Sequence, residues 1–237
     1  MLSQSMENYV KTVYELQQEA TWVSTSALAE RLSHAPASVT NMVKKLAEPN
    51  LNLLKYKPYQ GVRLTQVGEK VALEIIRHHR LVELYLAEVM GIPWDEVHAE
   101  AERIEHIISE DVEDRMAAAL GNPTIDPHGS PIPAKNGAMI DREVCALADV
   151  EIGRSATVAE VADEDPKLLR YLGELSIYPG TIITLLDREP FGGPLKIQLE
   201  GRETPQSVGQ EVAKMIFVIL VGAAEKRPHP DPRQRGR

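Results

Sequence analysis

The first 65 residues carry the pattern that most constrains the fold of this chain, because three helical segments follow one another with very short connections. Apolar residues recur at helical spacing over residues 5–19. A capped start at Ser24 opens a second helix, and Pro36 suits the first turn of a third over residues 36–47. The second and third segments, joined by a turn of about three residues, predict a helix-turn-helix.

Two strand-like runs follow the third helical segment. Residues 51–57 and 62–65 flank the turn Pro58-Tyr59-Gln60-Gly61, which is the pattern of a β-hairpin. Three helices and a wing, in that order, predict a winged helix-turn-helix DNA-binding domain over residues 1–65. The alternative interpretation is an ordinary helical hairpin with a solvated basic face.

The third helical segment leaves short polar and basic side chains outside its apolar stripe. A recognition helix needs such residues, because its N-terminal part reads base edges while basic residues neutralise phosphates. The residues expected to contact DNA are Ala35, Pro36, Ala37, Ser38, Thr40, Asn41, Lys44, Lys45 and Lys57, with Lys55 and Arg63 as further phosphate contacts.

The formal net charge of −9 argues against a nucleic-acid partner only if that charge is spread evenly along the chain. Residues 1–65 hold seven bases against five acids, whereas residues 69–120 hold thirteen acids against five bases. A mildly basic module is therefore followed by an acidic one. The charge of the first module is compatible with double-stranded DNA as a partner.

Composition also excludes several classes of protein. No apolar run approaches the roughly 18 residues that cross a bilayer, so no membrane partner is expected. The N-terminus lacks the basic start and apolar core of a signal peptide. The single cysteine, Cys145, excludes an internal disulfide framework and favours a cytoplasmic location. No Ser/His/Asp arrangement and no phosphate-binding glycine loop is present, so the chain is not expected to be an enzyme.

After residue 65 the chain changes character twice. Helical patterns give way to a proline-rich stretch, and short strand-like runs separated by glycine turns then predict a small barrel. The expected fold class is mainly α with a small β domain. The predicted segments are a helical region over 66–121, a proline-rich connection over 122–143, a barrel over 144–225 and a disordered tail over 226–237.

Acids and histidines are concentrated on two long helices predicted over residues 66–90 and 94–120. At about 100° per residue, four side chains of the second helix fall within one arc of about 100°, and two of the first are i, i+4 neighbours. The six candidate metal ligands are His79, Glu83, His98, Glu102, Glu105 and His106. Carboxylates and imidazoles without a thiolate favour Mn²⁺, Fe²⁺ or Zn²⁺. The alternative is a solvated acidic face with incidental histidines.

Four stretches, SMENYVKTVYEL, HHRLVELYL, EAERIEHIISEDVEDRM and DPHGSPIP, together with the winged helix, resemble the diphtheria-toxin-repressor family of iron- and manganese-dependent transcriptional regulators. The resemblance covers nearly the whole chain. It implies that the helical region binds metal and forms a homodimer, and that the barrel is an SH3-like domain. It further implies repression of metal-uptake genes through a roughly palindromic operator.

The same resemblance implies two metal sites. One matches His79, Glu83 and His98, and Glu102, Glu105 and His106 match most of the other. Where manganese sensors of the family add an aspartate from the first helix, this chain has Asn8, and Lys11 replaces a second acid, which argues against a closely paired two-metal cluster. An acid from the barrel can complete the first site, and the residues in the corresponding position are Asp163, Glu164 and Asp165.

Glu102 bears on the identity of the metal. Iron-sensing members of the family tend to have a cysteine at this position, and manganese-sensing members a glutamate. Because a carboxylate is harder than a thiolate, Mn²⁺ is the expected cofactor and Fe²⁺ the second choice. The alternatives are an iron-responsive regulator of the same family, a metal-independent winged-helix regulator, and a metal-dependent hydrolase with a DNA-binding domain. The hydrolase would need a general base that the sequence does not offer.

Overall fold

The structure is a computed structural model that describes residues 2–221. The tail predicted to be disordered, residues 226–237, lies outside the described residues. The chain divides into two compact units, the first ending at Asp141 and the second beginning at Arg142. Within the described part, no helix is both long and apolar enough to cross a membrane.

The first unit begins with the predicted winged helix-turn-helix. Its elements are α1 (Gln4–Leu16), α2 (Thr25–Arg31), α3 (Pro36–Leu46), β1 (Leu54–Lys57) and β2 (Gly61–Leu64). The hydroxyls of Ser3 and Ser24 accept hydrogen bonds from backbone N–H groups in the first turns of α1 and α2, and Pro36 opens α3. The two strands pair antiparallel, with Leu54 opposite Leu64.

One apolar core holds these elements together. It contains Tyr9 and Val13 of α1, Leu28 of α2 and Val43 of α3, each at most 2% exposed. Burying a side chain of this size stabilises the fold by about 1.5–3 kcal/mol. Since α1 shares this core with α2 and α3, a displacement of α1 carries the recognition helix with it.

A long helix, α4 (Gln66–Glu88), leads out of the wing and starts with a hydrogen bond from the Gly68 N–H to the Thr65 hydroxyl. It packs against α1, α5 (Val97–Ile104) and α6 (Glu110–Ala119). The prediction of one long helix over residues 94–120 was therefore wrong, because two helices with a turn between them occupy this stretch.

The break between α5 and α6 has a local cause. Ser109 caps α6 by accepting a hydrogen bond from the N–H of Val112, and acids in the first turn of α6 are favoured by the helix dipole. The side chain of His78 on α4 lies 3.3 Å from the Glu105 carbonyl oxygen and 3.2 Å from the Glu113 carboxylate of α6. This buried histidine therefore ties the turn to both neighbouring helices.

The second unit contains a six-stranded antiparallel sheet, which confirms the predicted small β domain. The elements of this unit are β3 (Cys145–Ala146), a 3₁₀ turn (Leu147–Asp149), β4 (Ser155–Val161), α7 (Pro166–Leu175), β5 (Ile182–Arg188), β6 (Leu195–Leu199), β7 (Gln206–Val208), α8 (Gln210–Lys214) and β8 (Ile216–Leu220). The strands lie in the order β3-β8-β4-β5-β6-β7, and α7, β3 and β7 are elements that the sequence analysis did not predict.

Replacing Gly68 with alanine is expected to destabilise the first unit by about 1–3 kcal/mol, although alanine is the better helix former. A Cβ at this position would lie 2.0 Å from the Leu53 carbonyl oxygen, so α4 would have to move away from the wing. Thermal unfolding followed by circular dichroism measures the effect. Lys70→Ala, at an exposed position of the same helix, is the control and should change stability by less than about 0.5 kcal/mol. A Gly68→Ala protein as stable as the parent would contradict the close packing.

Candidate metal centre and DNA-facing surface

The predicted metal ligands converge where α4, α5 and α1 pack together in the first unit. Glu83 and His79 project from α4 one turn apart. His98 Nδ1 lies 3.0 Å from Glu83 Oε1 and 3.1 Å from His79 Nε2, and His79 Nε2 lies 2.9 Å from Glu83 Oε1. These three side chains thus form one half of a continuous cluster, which has the spacing of a cation site.

The second half of the cluster shares His79 with the first. The Nδ1 atom of His79 contacts Glu105 Oε2 and lies 3.9 Å from Glu102 Oε1, so this imidazole belongs to both halves of the cluster. Glu102 projects from α5, whereas Glu105 caps the end of that helix. The prediction that His98, Glu102, Glu105 and His106 lie on one helix was wrong at its end, because α5 stops at Ile104. The helical conformation of Glu105 nevertheless keeps its carboxylate on the cluster side.

His106 connects this half to α1. Its Nε2 lies 3.1 Å from Glu105 Oε1, while its Nδ1 lies 2.6 Å from Glu7 Oε2. An imidazole that ligates a metal through one nitrogen commonly gives its other N–H to a carboxylate, which fixes the ring orientation. Glu7 supplies that carboxylate from the first helix, and sequence reasoning missed it because it lies 99 positions away along the chain.

Lys11, also on α1, places its ammonium inside the cluster. Its Nζ lies 2.8 Å from Glu102 Oε1, 2.9 Å from Glu105 Oε2 and 3.2 Å from His79 Nδ1. Burial alone would lower the pKa of this amine, but the charges of Glu105 and Glu102 outweigh it and raise the pKa above its ordinary value. Lys11 is therefore positively charged in the interior.

Protons supply the remaining positive charge of the cluster. Although burial opposes the charged form, Glu83 and Glu105 raise the pKa of His79 to about 10. The pKa of His106 is raised by Glu105 and Glu7 against the effect of burial, and the pKa values of Glu83 and Glu105 are lowered despite burial by their histidine neighbours. The metal-free cluster is thus a set of carboxylates neutralised by an amine and by protons.

Several buried atoms of the cluster make no hydrogen bond within the described part of the chain. They are Asn8 Oδ1, Glu83 Oε2, Glu105 Oε1 and His106 Nε2, of which the last two form an ion pair 3.1 Å apart without hydrogen-bond geometry. Leaving a buried polar atom unsatisfied costs about 1–3 kcal/mol, so these atoms require an explanation. All four are oxygen or imidazole donors of the kind that Mn²⁺, Fe²⁺ or Zn²⁺ accepts, and the residues therefore fit a divalent cation.

Two further residues beside Glu83 were missed by sequence reasoning. Asp126 and His128 come from the proline-rich connection and are 3% and 0% exposed. His128 Nδ1 lies 3.8 Å from Glu83 Oε2, and donor atoms of all three residues lie within 4.8 Å of one another. The signal was an acid and a histidine in an otherwise unpatterned loop, where charged residues are normally solvated.

The predicted ligands from the barrel lie in the second unit, between β4 and α7. Asp165 caps α7, because its Oδ1 accepts a hydrogen bond from the Lys167 N–H at 2.8 Å. Glu164 is exposed and Asp163 is half-buried. Their role as ligands stays a prediction.

The residues expected to contact DNA are mostly exposed around the start and outer face of α3. The exception is Thr40, which is half-buried and whose hydroxyl donates to the Pro36 carbonyl oxygen. The exposed ones are Ala35, Pro36, Ala37, Ser38, Asn41, Lys44, Lys45 and Lys57. Direct contact of these residues with DNA stays a prediction.

Trp22 organises the basic side chains of the wing. Its ring lies 4.9 Å from Lys57 Nζ and 4.9 Å from the guanidinium carbon of Arg63. Val23, the next residue, pairs with Val62 of β2, and this bridge fixes the tryptophan beside the hairpin. Sequence reasoning selected the two bases but not the aromatic residue that holds them.

Family models match three successive parts of the chain. They are described as the iron-dependent repressor N-terminal DNA-binding domain, over residues 1–62, the iron-dependent repressor metal-binding and dimerisation domain, over 65–134, and the FeoA domain, over 145–220. Among similar proteins, the iron-dependent repressor of Mycobacterium tuberculosis is 33% identical over 215 residues, which cover 85% of this chain and 91% of that protein. The diphtheria toxin repressor of Corynebacterium glutamicum is 31% identical over 199 residues, which cover 79% of this chain and 86% of that protein.

Solved structures show the same architecture. A manganese-dependent transcriptional repressor in complex with manganese superposes with a TM-score of 0.84 at 33% identity, covering 91% of this chain and all of that one. The structure of ScaR with bound Zn²⁺ superposes with a TM-score of 0.76 at 29% identity, covering 90% of this chain and 98% of that one.

Mn²⁺ binding is expected to release protons at about pH 7.5. A ligating histidine must lose its proton from the nitrogen that binds, and the pKa of about 10 keeps His79 protonated in the metal-free protein. Affinity should therefore rise with pH, by about tenfold per unit for each proton released. Calorimetric titrations in two buffers of different ionisation enthalpy count these protons. Identical heats in both buffers would contradict the protonated cluster, and His34→Gln, outside the cluster, should leave the count unchanged.

Replacing Trp22 with alanine is expected to weaken DNA binding about fivefold, because two cation–π contacts that hold Lys57 and Arg63 are lost. The loss should be similar for all DNA sequences and should flatten the salt dependence, since phosphate contacts carry that dependence. Fluorescence anisotropy at several salt concentrations measures both. Trp22→Phe keeps an aromatic face and should retain most of the affinity. Unchanged affinity and salt dependence in the alanine variant would show that the ring has no such role.

Proposed function

The chain belongs to the diphtheria-toxin-repressor family of metal-dependent transcriptional repressors, and from this premise we propose that it responds to manganese and represses genes for metal uptake. The observation that carries the choice of metal is the donor set around Glu102. Glu102, Glu105, His106 and Asn8 offer oxygen and imidazole donors and no thiolate. Such a set favours Mn²⁺ over softer ions.

Iron is the second candidate for a specific reason. Relatives named as iron-dependent repressors are as similar in sequence, at 33% identity, as the manganese-dependent repressor whose structure superposes well. Fe²⁺ accepts the same oxygen and nitrogen donors as Mn²⁺. The preference for manganese therefore depends on the carboxylate at Glu102.

We assign the ligands in two groups. Asn8, Glu102, Glu105 and His106 would hold one ion, and the buried atoms of Asn8, Glu105 and His106 that make no hydrogen bond support this. His79, Glu83 and His98 would hold a second. A bound ion would supply two positive charges that replace the protons and the amine now neutralising the carboxylates.

The chain's own residues convert metal binding into a change of the DNA-binding domain. Asn8 and Glu7 lie on α1, whereas Glu105 and His106 lie at the end of α5, so the site joins two elements that are far apart in sequence. On its other face α1 shares a core with α2 and α3. Fixing α1 on α4 and α5 therefore fixes the orientation of the recognition helix.

Two copies of this chain would then bind one operator. The family dimerises through its metal-binding domain, which matches residues 65–134 here. In a homodimer the two recognition helices can enter successive major grooves, about 34 Å apart, if the operator is roughly palindromic. A repressor of this kind acts on the chromosome, so we place it in the cytoplasm and assign it no catalytic activity.

Mn²⁺ is expected to raise operator affinity about 100-fold, and the double variant Glu105→Gln/His106→Gln should lose this response while keeping weak metal-free binding. Fluorescence anisotropy on a duplex selected from a random pool in Mn²⁺, with and without chelator, measures the change. Glu100→Gln removes a half-buried carboxylate of α5 that pairs with Arg103 and lies outside the cluster, and it should respond like the parent. Equal binding with and without metal would contradict the proposal.

The same titration separates the alternatives. An iron-responsive regulator would reach half-saturation at lower Fe²⁺ than Mn²⁺ under anaerobic conditions. A metal-independent winged-helix regulator would bind its operator equally well in chelator, and the double variant would leave its DNA response intact.

A further inference from the structure

Lys11 is a buried cation that lies among the proposed metal ligands but is not one of them. It is 8% exposed, and its ammonium meets one oxygen each of Glu102 and Glu105. The side chain reaches the cluster from α1, one helical turn beyond Asn8. The two carboxylates hold the ammonium in place, and the Nδ1 atom of His79 lies 3.2 Å from it.

The ammonium and a divalent ion require the same oxygen atoms. A divalent ion would bind directly to the two carboxylate oxygens that now lie 2.8 and 2.9 Å from the ammonium. Two cations at such close quarters in a weakly screening interior would repel each other strongly. The two species can therefore exchange but cannot share Glu102 and Glu105.

We propose that Lys11 competes with the metal ion for Glu102 and Glu105, and that this competition sets the metal concentration at which this chain responds. The ammonium lowers the affinity of Glu102 and Glu105 for a divalent cation. This inference rests on the proposed function only in that the same two carboxylates hold the metal.

The structure offers a path for the exchange. The Glu102 side chain is 41% exposed, whereas that of Glu105 is 0% exposed. The cluster is thus open to solvent on the side of Glu102, where the long, flexible stem of a lysine can carry its charge outward. Once withdrawn, the ammonium is solvated and the carboxylates are free for the ion.

The charge of Lys11 is removed with the least change of volume by Lys11→Met. This variant is expected to bind Mn²⁺ at least about tenfold more tightly than the parent, measured by competition with a fluorescent chelator. Without metal its melting temperature should be lower, because two buried carboxylates lose their counter-ion, and Mn²⁺ should raise it more than in the parent. Lys11→Arg, which keeps the charge, should bind no more tightly than the parent, and Lys70→Met controls for loss of an exposed lysine.

A second measurement uses the unmodified chain and does not depend on the variant folding. Acetylation of lysines by an amine-reactive ester, read by mass spectrometry, should modify Lys11 slowly in chelator and faster in saturating Mn²⁺, while Lys70 reacts equally in both. Lys11 that stays equally protected in Mn²⁺, or a folded Lys11→Met protein that binds Mn²⁺ no more tightly, would overturn the proposal. If the parent binds no Mn²⁺ at all, the proposed function falls as well, which distinguishes the two failures.

Discussion

Buried negative charge is the constraint on which the helical part of this protein depends. Glu83 and Glu105 are 0% and 1% exposed, and an isolated carboxylate in such a place would be too costly to keep ionised. The ammonium of Lys11 and the proton on His79 offset this cost. Any divalent cation that enters must replace these charges, so metal binding is an exchange and not a simple addition.

The exchange matters because its partners come from different parts of the chain. Glu7, Asn8 and Lys11 belong to α1, which is also part of the core of the DNA-binding domain, whereas the acids and histidines belong to α4 and the end of α5. A change in the cluster is therefore a change in how α1 is held. Since α1 belongs to both the cluster and the core of the DNA-binding domain, this one helix connects the metal-binding region to the recognition helix.

Periodicity and spacing predicted the winged helix, the long α4 and the six acids and histidines that the fold brings together, because these depend on local pattern. They failed where tertiary contacts decide. Ser109 caps a new helix, α6, where the sequence pattern predicts one continuous helix to residue 120. Asp126 and His128 lie close to Glu83 but come from a loop without periodicity. Lys11 was recognised as a departure from the family pattern, but only the structure places its ammonium among the carboxylates.

The most direct test of this account is an anomalous diffraction measurement at the manganese edge on crystals grown with Mn²⁺. The account predicts a peak bonded to Glu105 and His106, within reach of Asn8 and Glu102, with the Lys11 amine withdrawn from both carboxylates. Crystals in saturating Mn²⁺ that show no peak at this cluster, and keep the ammonium between Glu102 and Glu105, would contradict it.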